Sequence, residues 1–172
     1  MLRCLTGRSV RILGGAILAM AVLGSCRDGF GPPPGPDTQA TLLSCPSSQT
    51  QATSLAIGTA GGTVALGGTS VNIPLGALTG TTTVELTIPA GQYMEVDLTV
   101  NGGQHIDFLQ PVVVTIDYSR CSRSDTFLRA LSVWNIDPAT KALIENMGGV
   151  DNKLTQSITF TTPHFSGFAV AY

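Results

Sequence analysis

The sequence predicts an all-β protein, a single antiparallel β-sandwich standing behind a cleaved export signal and a Pro/Gly-rich linker. Three observations carry that fold class. From residue 55 onward, short runs alternate apolar with polar residues and are cut by Gly, Asn and Pro, the pattern of half-buried strands separated by turns. No stretch beyond the N-terminal segment shows an amphipathic helical period. Only 12% of residues are charged, and Thr, Ser and Gly are abundant, a composition common among secreted β-domains and uncommon among cytosolic helical enzymes. At 172 residues with 43% hydrophobic content, the chain is long enough for one domain with its own core once the processed end is gone.

Residues 1–11 carry Arg3, Arg8 and Arg11, residues 12–23 form an apolar run, and Leu23-Gly24-Ser25-Cys26 follows at once. A basic head, an apolar middle and small residues at the cut make residues 1–25 a signal peptide, and the run is too short to remain as a bilayer span. Leu-Gly-Ser-Cys resembles the lipobox of bacterial lipoproteins. The resemblance implies cleavage before Cys26, acylation of Cys26 with palmitate-like chains, and a lipid bilayer as partner through that cysteine. Arg27, standing where an Asp acts as a retention signal in enteric bacteria, implies export to the outer membrane or cell surface. Several acyl chains anchor stably, since each buried methylene contributes about 0.8 kcal/mol and one chain alone is marginal. The alternative is a plain secretory signal with an incidental cysteine. Loss of residues 1–25 removes three of nine basic residues and none of 11 acidic ones, leaving 6 against 11 and a net −5. That balance argues against nucleic acid and against electrostatic docking on anionic lipid.

Residues 26–52 read as the acylated cysteine and a flexible, proline-rich linker. Gly29-Phe30-Gly31-Pro32-Pro33-Pro34-Gly35-Pro36-Asp37 is stiff and extended, and holds the domain at 53–172 away from the membrane. With Cys4 discarded and Cys26 acylated, Cys45 and Cys121 remain. Two free cysteines in an oxidising compartment pair as a disulfide. Metal binding by the same pair is the other reading, and it lacks the close spacing of zinc sites.

The strands follow in order. Residues 62–66, the pair Gly67-Gly68 and residues 69–73 read as a hairpin, because paired glycines accept the positive φ of a tight turn. Pro74 to Gly80 is a break. Val84, Leu86 and Ile88 alternate with threonine and glutamate, and Val96, Leu98 and Val100 alternate with Glu95, Asp97 and Thr99, giving two strands with one wet face each. Asn101-Gly102-Gly103 turns into residues 105–109. Residues 111–118 form the most apolar strand and the expected centre of a sheet, with Pro111 at the first position where no ladder donor is lost. Residues 131–136 with Trp134, then 141–147 and 154–160, follow between Asp137-Pro138 and Gly148-Gly149. Residues 162–172 close the chain as a last strand in which Phe168, Val170 and Tyr172 alternate with small residues.

The domain resembles the β-sandwich shared by zonula-occludens proteins, netrin receptors and ankyrins. Gly61-Gly62-Thr63-Val64 leading into Val71-Asn72-Ile73-Pro74-Leu75-Gly76-Ala77-Leu78 is similar to that family's opening hairpin and Ile-Pro-x-Gly-Ala-Leu turn. Residues 111–118 resemble its central strand, and His164-Phe165-Ser166 falls at the end as it does there. The resemblance implies a protein-interaction module beside a membrane. It also implies a candidate self-cleavage between Phe165 and Ser166, which some relatives perform. The chemistry is an N-to-O acyl shift: the Ser166 hydroxyl attacks the Phe165 carbonyl, His164 assists proton transfer, and water hydrolyses the ester. The competing reading makes Phe165 part of one sheet face, with His164 and Ser166 on the other.

The remaining constellations are weaker. His105 and His164 are the only histidines, and they show no metal-ligand spacing; Glu95, Asp97 and Asp107 match no calcium loop. No metal and no cofactor are therefore expected. Asp117 and Asp125 near Arg120 and Arg123 read as a solvated loop, and Trp134 as core or, failing that, as a surface anchor for a glycan or protein partner. Tyr172 is an aromatic C-terminus of the kind that closes outer-membrane barrels, but 6% aromatics cannot build their girdles. The expected function is a membrane-anchored exported lipoprotein presenting a binding or structural module. It is not an enzyme in the multiple-turnover sense, and the alternative is a single-turnover self-cleaving module.

Overall fold

A computed structural model describes residues 40–104 and 106–172; the expected signal peptide at 1–25, Cys26, the proline-rich run and His105 lie outside them. The described residues form an all-β domain of antiparallel sheets. Thirteen strands, with one helical turn, run in chain order as β1 (Ser44–Ser47), β2 (Gln51–Ile57), β3 (Gly62–Leu66), β4 (Thr69–Ile73), β5 (Thr82–Ile88), β6 (Gly91–Tyr93) and β7 (Glu95–Val100), then β8 (Asp107–Asp117), α1 (Arg123–Thr126), β9 (Ser132–Ile136), β10 (Leu143–Gly148), β11 (Val150–Asn152), β12 (Ser157–His164) and β13 (Gly167–Ala171). One sheet is ordered β10-β9-β13-β7-β5-β2, a second β11-β12-β8-β4-β3, and β1 pairs with β6 alone.

Period-two alternation explains the core. On β5, Val84, Leu86 and Ile88 are buried while the residues between them are partly exposed. On β12, Ile158 and Phe160 do the same, and these side chains join one apolar cluster with Val71, Leu98, Val114 and Phe168. Burial of these side chains is the main stabilising term, at about 25 cal/mol per Å² of apolar surface. The hairpin read at Gly67-Gly68 joins β3 to β4, with φ of 55° and 83° at the two glycines.

Two features differ from the sequence reading. Residues 40–52, read as the end of the linker, carry β1 and the start of β2. Leu43 and Cys45 are buried there, and Thr41 exchanges backbone bonds with Tyr172 at 2.8 and 3.0 Å, so the arm enters the fold before residue 53. Pro111 lies inside β8 and does not begin it. The β8–β12 register jumps between Thr162↔Val112 and His164↔Asp107, so the proline falls in a bulge, where a missing donor leaves no ladder bond unmade. β8 is central in its sheet, as its apolar content predicts.

Candidate functional site

Residues 162–172 do not form one strand. β12 ends at His164 in one sheet and β13 begins at Gly167 in the other, so Phe165 and Ser166 are the crossover between sheets. The expectation that His164 and Ser166 share the polar face of a single strand is thereby corrected. At that crossover Phe165 is 1% exposed and packs into the core edge-on to Phe108, with ring centroids 4.7 Å apart.

Local bonds satisfy the backbone where it departs. Buried Thr162 accepts from the His164 N–H at 3.3 Å and donates its hydroxyl to the His164 carbonyl at 2.7 Å. The Ser166 carbonyl accepts from Leu98 N at 3.1 Å. Gly167 fits because the crossover passes close to its neighbours: a Cβ there would lie 3.0 Å from Pro138 Cγ. A cleft of about 370 Å³ opens on this point, lined by Ile106, Asp107, His164, Phe165 and Ser166.

The Ser166 hydroxyl donates to Asn135 Oδ1 at 2.9 Å, and Asn135 is 8% exposed on β9. An amide oxygen holds the hydroxyl in place but is no base at neutral pH. The His164 ring lies beside Phe168, centroids 6.4 Å apart and 21° from parallel. For Ser166 to attack its own preceding carbonyl, His164 or another base would have to replace Asn135 as proton acceptor. Among the described non-glycine residues, positive φ occurs at Asn101, Lys141 and Gln156, so left-handed strain is absent from residues 163–166. Asn135 was not singled out from the sequence, although a lone amide inside the apolar run Ser132–Ile136 is the kind of buried polar residue that needs a partner.

Cys45 and Cys121 form a disulfide with a sequence separation of 76 and Cα atoms 4.9 Å apart. It ties β1 to the turn after β8. At the start of that turn, the Tyr118 hydroxyl donates to Asp151 Oδ1 at 2.5 Å, and Asp151 Oδ2 faces Lys153 Nζ at 2.5 Å. Lys153 in turn donates to the carbonyls of Thr126 and Arg129 at 2.8 and 2.6 Å. Burial, then the hydrogen bond to Asp151 and that residue's charge, push the Tyr118 hydroxyl well above its ordinary pKa.

The other sequence candidates separate. Glu95 is buried on β7 and ion-paired with Lys141 at 2.5 Å, Asp97 is two residues along the same strand, and Asp107 stands in the other sheet opposite His164. Among the described residues, no three His, Cys, Asp or Glu side chains converge as metal ligands would. Asp117 Oδ1 accepts from Ser119 N at 2.7 Å and holds the turn, while Arg123 lies 6.0 Å from the Phe127 ring. Trp134 is 4% exposed and packs with Ile136, Ala169 and Ala171 in a smaller cluster, together with Leu42 and Leu143. It is therefore packing rather than an exposed anchor. The Tyr172 ring is covered by the Arg129 guanidinium at 3.6 Å.

A scan against protein-family models finds no match, and a search of curated proteins finds none.

Proposed function

We propose that the chain is an exported bacterial lipoprotein, acylated on Cys26, that presents a single β-sandwich as a binding or structural module on the outer membrane. The observation that carries this reading is the buried Cys45–Cys121 disulfide, since disulfides persist in oxidising compartments outside the cytosol. It fits the order of basic head, apolar run and Leu-Gly-Ser-Cys at the N-terminus. The finer family reading, a sandwich of the zonula-occludens, netrin-receptor and ankyrin type, rests on the opening motif at residues 61–78. Growth with an alkyne-tagged fatty acid tests the anchoring. Label in the wild type and its loss in Cys26→Ser support the proposal; a wild type without label overturns it.

A second reading, self-cleavage between Phe165 and Ser166, is favoured by one observation: this peptide crosses between sheets beside an open cleft with a serine and a histidine at its wall. After cleavage β13 would stay paired with β7 and β9, so native separation would not reveal the break. Denatured intact mass of the wild type beside Ser166→Ala does reveal it. A wild type missing residues 166–172 next to an intact variant supports cleavage, and two intact chains exclude it.

A further inference from the structure

The basic residues of the described chain are Arg120, Arg123, Arg129, Lys141 and Lys153, and all but Lys141 gather at one loop. No Lys or Arg stands between Asp28 and Ser119. Residues 118–129, the loop after β8, carry the three arginines. Lys153 reaches the same loop from the turn after β11, donating to the carbonyls of Thr126 and Arg129 at 2.8 and 2.6 Å. The acids in these two segments are Asp125 and Asp151, and Asp151 is already held by Lys153 and the Tyr118 hydroxyl. The chain is acidic as a whole, which argues against anionic lipid for an evenly charged surface, but its cations are segregated onto this face.

Between the two carbonyls that Lys153 holds lie Phe127 and Leu128, 51% and 89% exposed. The clamp fixes the backbone at both ends of this apolar pair. Leu154, the neighbour of Lys153, is 82% exposed, and the Arg123 guanidinium lies 6.0 Å from the Phe127 ring. Bulky apolar side chains set among cations suit a bilayer surface, where the apolar groups enter the acyl boundary and the cations stay among the headgroups.

The place where the chain enters the domain says which surface this face meets. Residues 27–39 link Cys26 to the described chain, a reach of at most about 50 Å when extended. That chain starts at Ala40, and Thr41 exchanges backbone bonds with Tyr172, whose ring lies 3.6 Å from the Arg129 guanidinium. Leu43 and Ser44 share a cleft with Asp125, Arg129 and Tyr172, and Cys45 is bonded to Cys121 in the loop itself. The segment leading from Cys26 therefore joins the domain beside Phe127 and Leu128. A comparable apolar pair, Leu75 and Leu109, has neither feature. It lies in the stretch without Lys or Arg, and Leu109 is near the opposite end of β8, about 25 Å along the strand from Asp117.

We infer that Phe127 and Leu128 dock the domain on the bilayer that holds the Cys26 anchor, with Arg123, Arg129 and Lys153 meeting anionic headgroups. The inference rests on the lipoprotein reading above. A tethered domain needs little further affinity to stay down, because the second contact is intramolecular.

The test uses the full chain extracted from native membranes and reconstituted into vesicles of phosphatidylethanolamine and phosphatidylglycerol. A nitroxide is placed on Leu128→Cys or, for reference, on Leu109→Cys, with the unsubstituted chain as the labelling blank. Collision with lipid-soluble oxygen relative to a water-soluble nickel chelate should be several-fold higher at residue 128 than at residue 109. Phe127→Ser should lower the ratio at residue 128 while leaving the thermal midpoint in place, because its side chain is exposed. Equal ratios at the two positions in a vesicle-bound chain, or a raised ratio at 128 only after another protein is added, would overturn the docking and leave the anchor standing. A chain that stays in the supernatant and carries no lipid on its N-terminal peptide would overturn the anchor, and the docking with it.

Discussion

Replacing Cys45 and Cys121 together by alanine removes a bridge with a sequence separation of 76 and leaves the N-terminal arm held by other contacts. Leu43 stays buried, Thr41 stays bonded to Tyr172, and β1 keeps its pairing with β6. The main effect therefore falls on the unfolded chain. Closing a loop of this length costs the unfolded ensemble about 15 cal/mol/K in the chain-entropy model, or about 4.5 kcal/mol at room temperature. Set against a domain stability of about 5–15 kcal/mol, the double variant should be folded but markedly weakened. Urea unfolding followed by the fluorescence of buried Trp134 measures this directly. The variant should lose about 3–5 kcal/mol and gain in m-value, because its unfolded state exposes more surface. A loss under about 1 kcal/mol with an unchanged m-value would show that the bridge does not constrain the unfolded chain.

Tyr118→Phe deletes the hydroxyl that binds Asp151 and should cost about 1–2 kcal/mol at neutral pH. Because the folded pKa is raised, the wild type keeps this stability below the ordinary tyrosine value of about 10 and loses it as pH rises further; the variant should lack that alkaline decline in urea titrations. Phe165→Ala empties the core beneath the crossover and should lower stability by about 3–5 kcal/mol in equilibrium denaturation; a loss below about 1 kcal/mol would show that Phe165 does not fix the crossover. Gly68→Ala meets both a positive φ of 83° and the Asp117 side chain, whose Cβ would lie 2.9 Å from the new methyl, so a fall in stability of at least about 1 kcal/mol is expected by thermal melting.

Much of the fold was legible because one face of most strands is wet. Val84, Leu86 and Ile88 stand out from threonines, and Gly67-Gly68 marks its turn by backbone freedom alone. The arm at residues 40–47 was not legible: its burial comes from Tyr172, Met94 and Cys121, far along the chain, and its own composition matches a linker. The crossover at Phe165-Ser166 was hidden for a related reason. Residues 167–171 are buried throughout, so alternation cannot tell a continuing strand from one that changes sheet. Of the candidate site, the side chains were named but their arrangement was not. Ser166 bonds to Asn135, a contact across 31 positions that no local pattern encodes. The disulfide was readable because Cys45 and Cys121 are the two cysteines that follow the expected lipobox, whereas the Tyr118-Asp151-Lys153 network joins three residues that look like ordinary surface and strand positions until β8 and β12 are paired.

Lipid anchoring through Cys26 is tested most directly by the mass of the N-terminal peptide from protein extracted out of native membranes. The chain should begin at Cys26 and carry a diacylglyceryl group on its sulfur. A chain that retains residues 1–25, or one cut elsewhere with an unmodified Cys26, would contradict it.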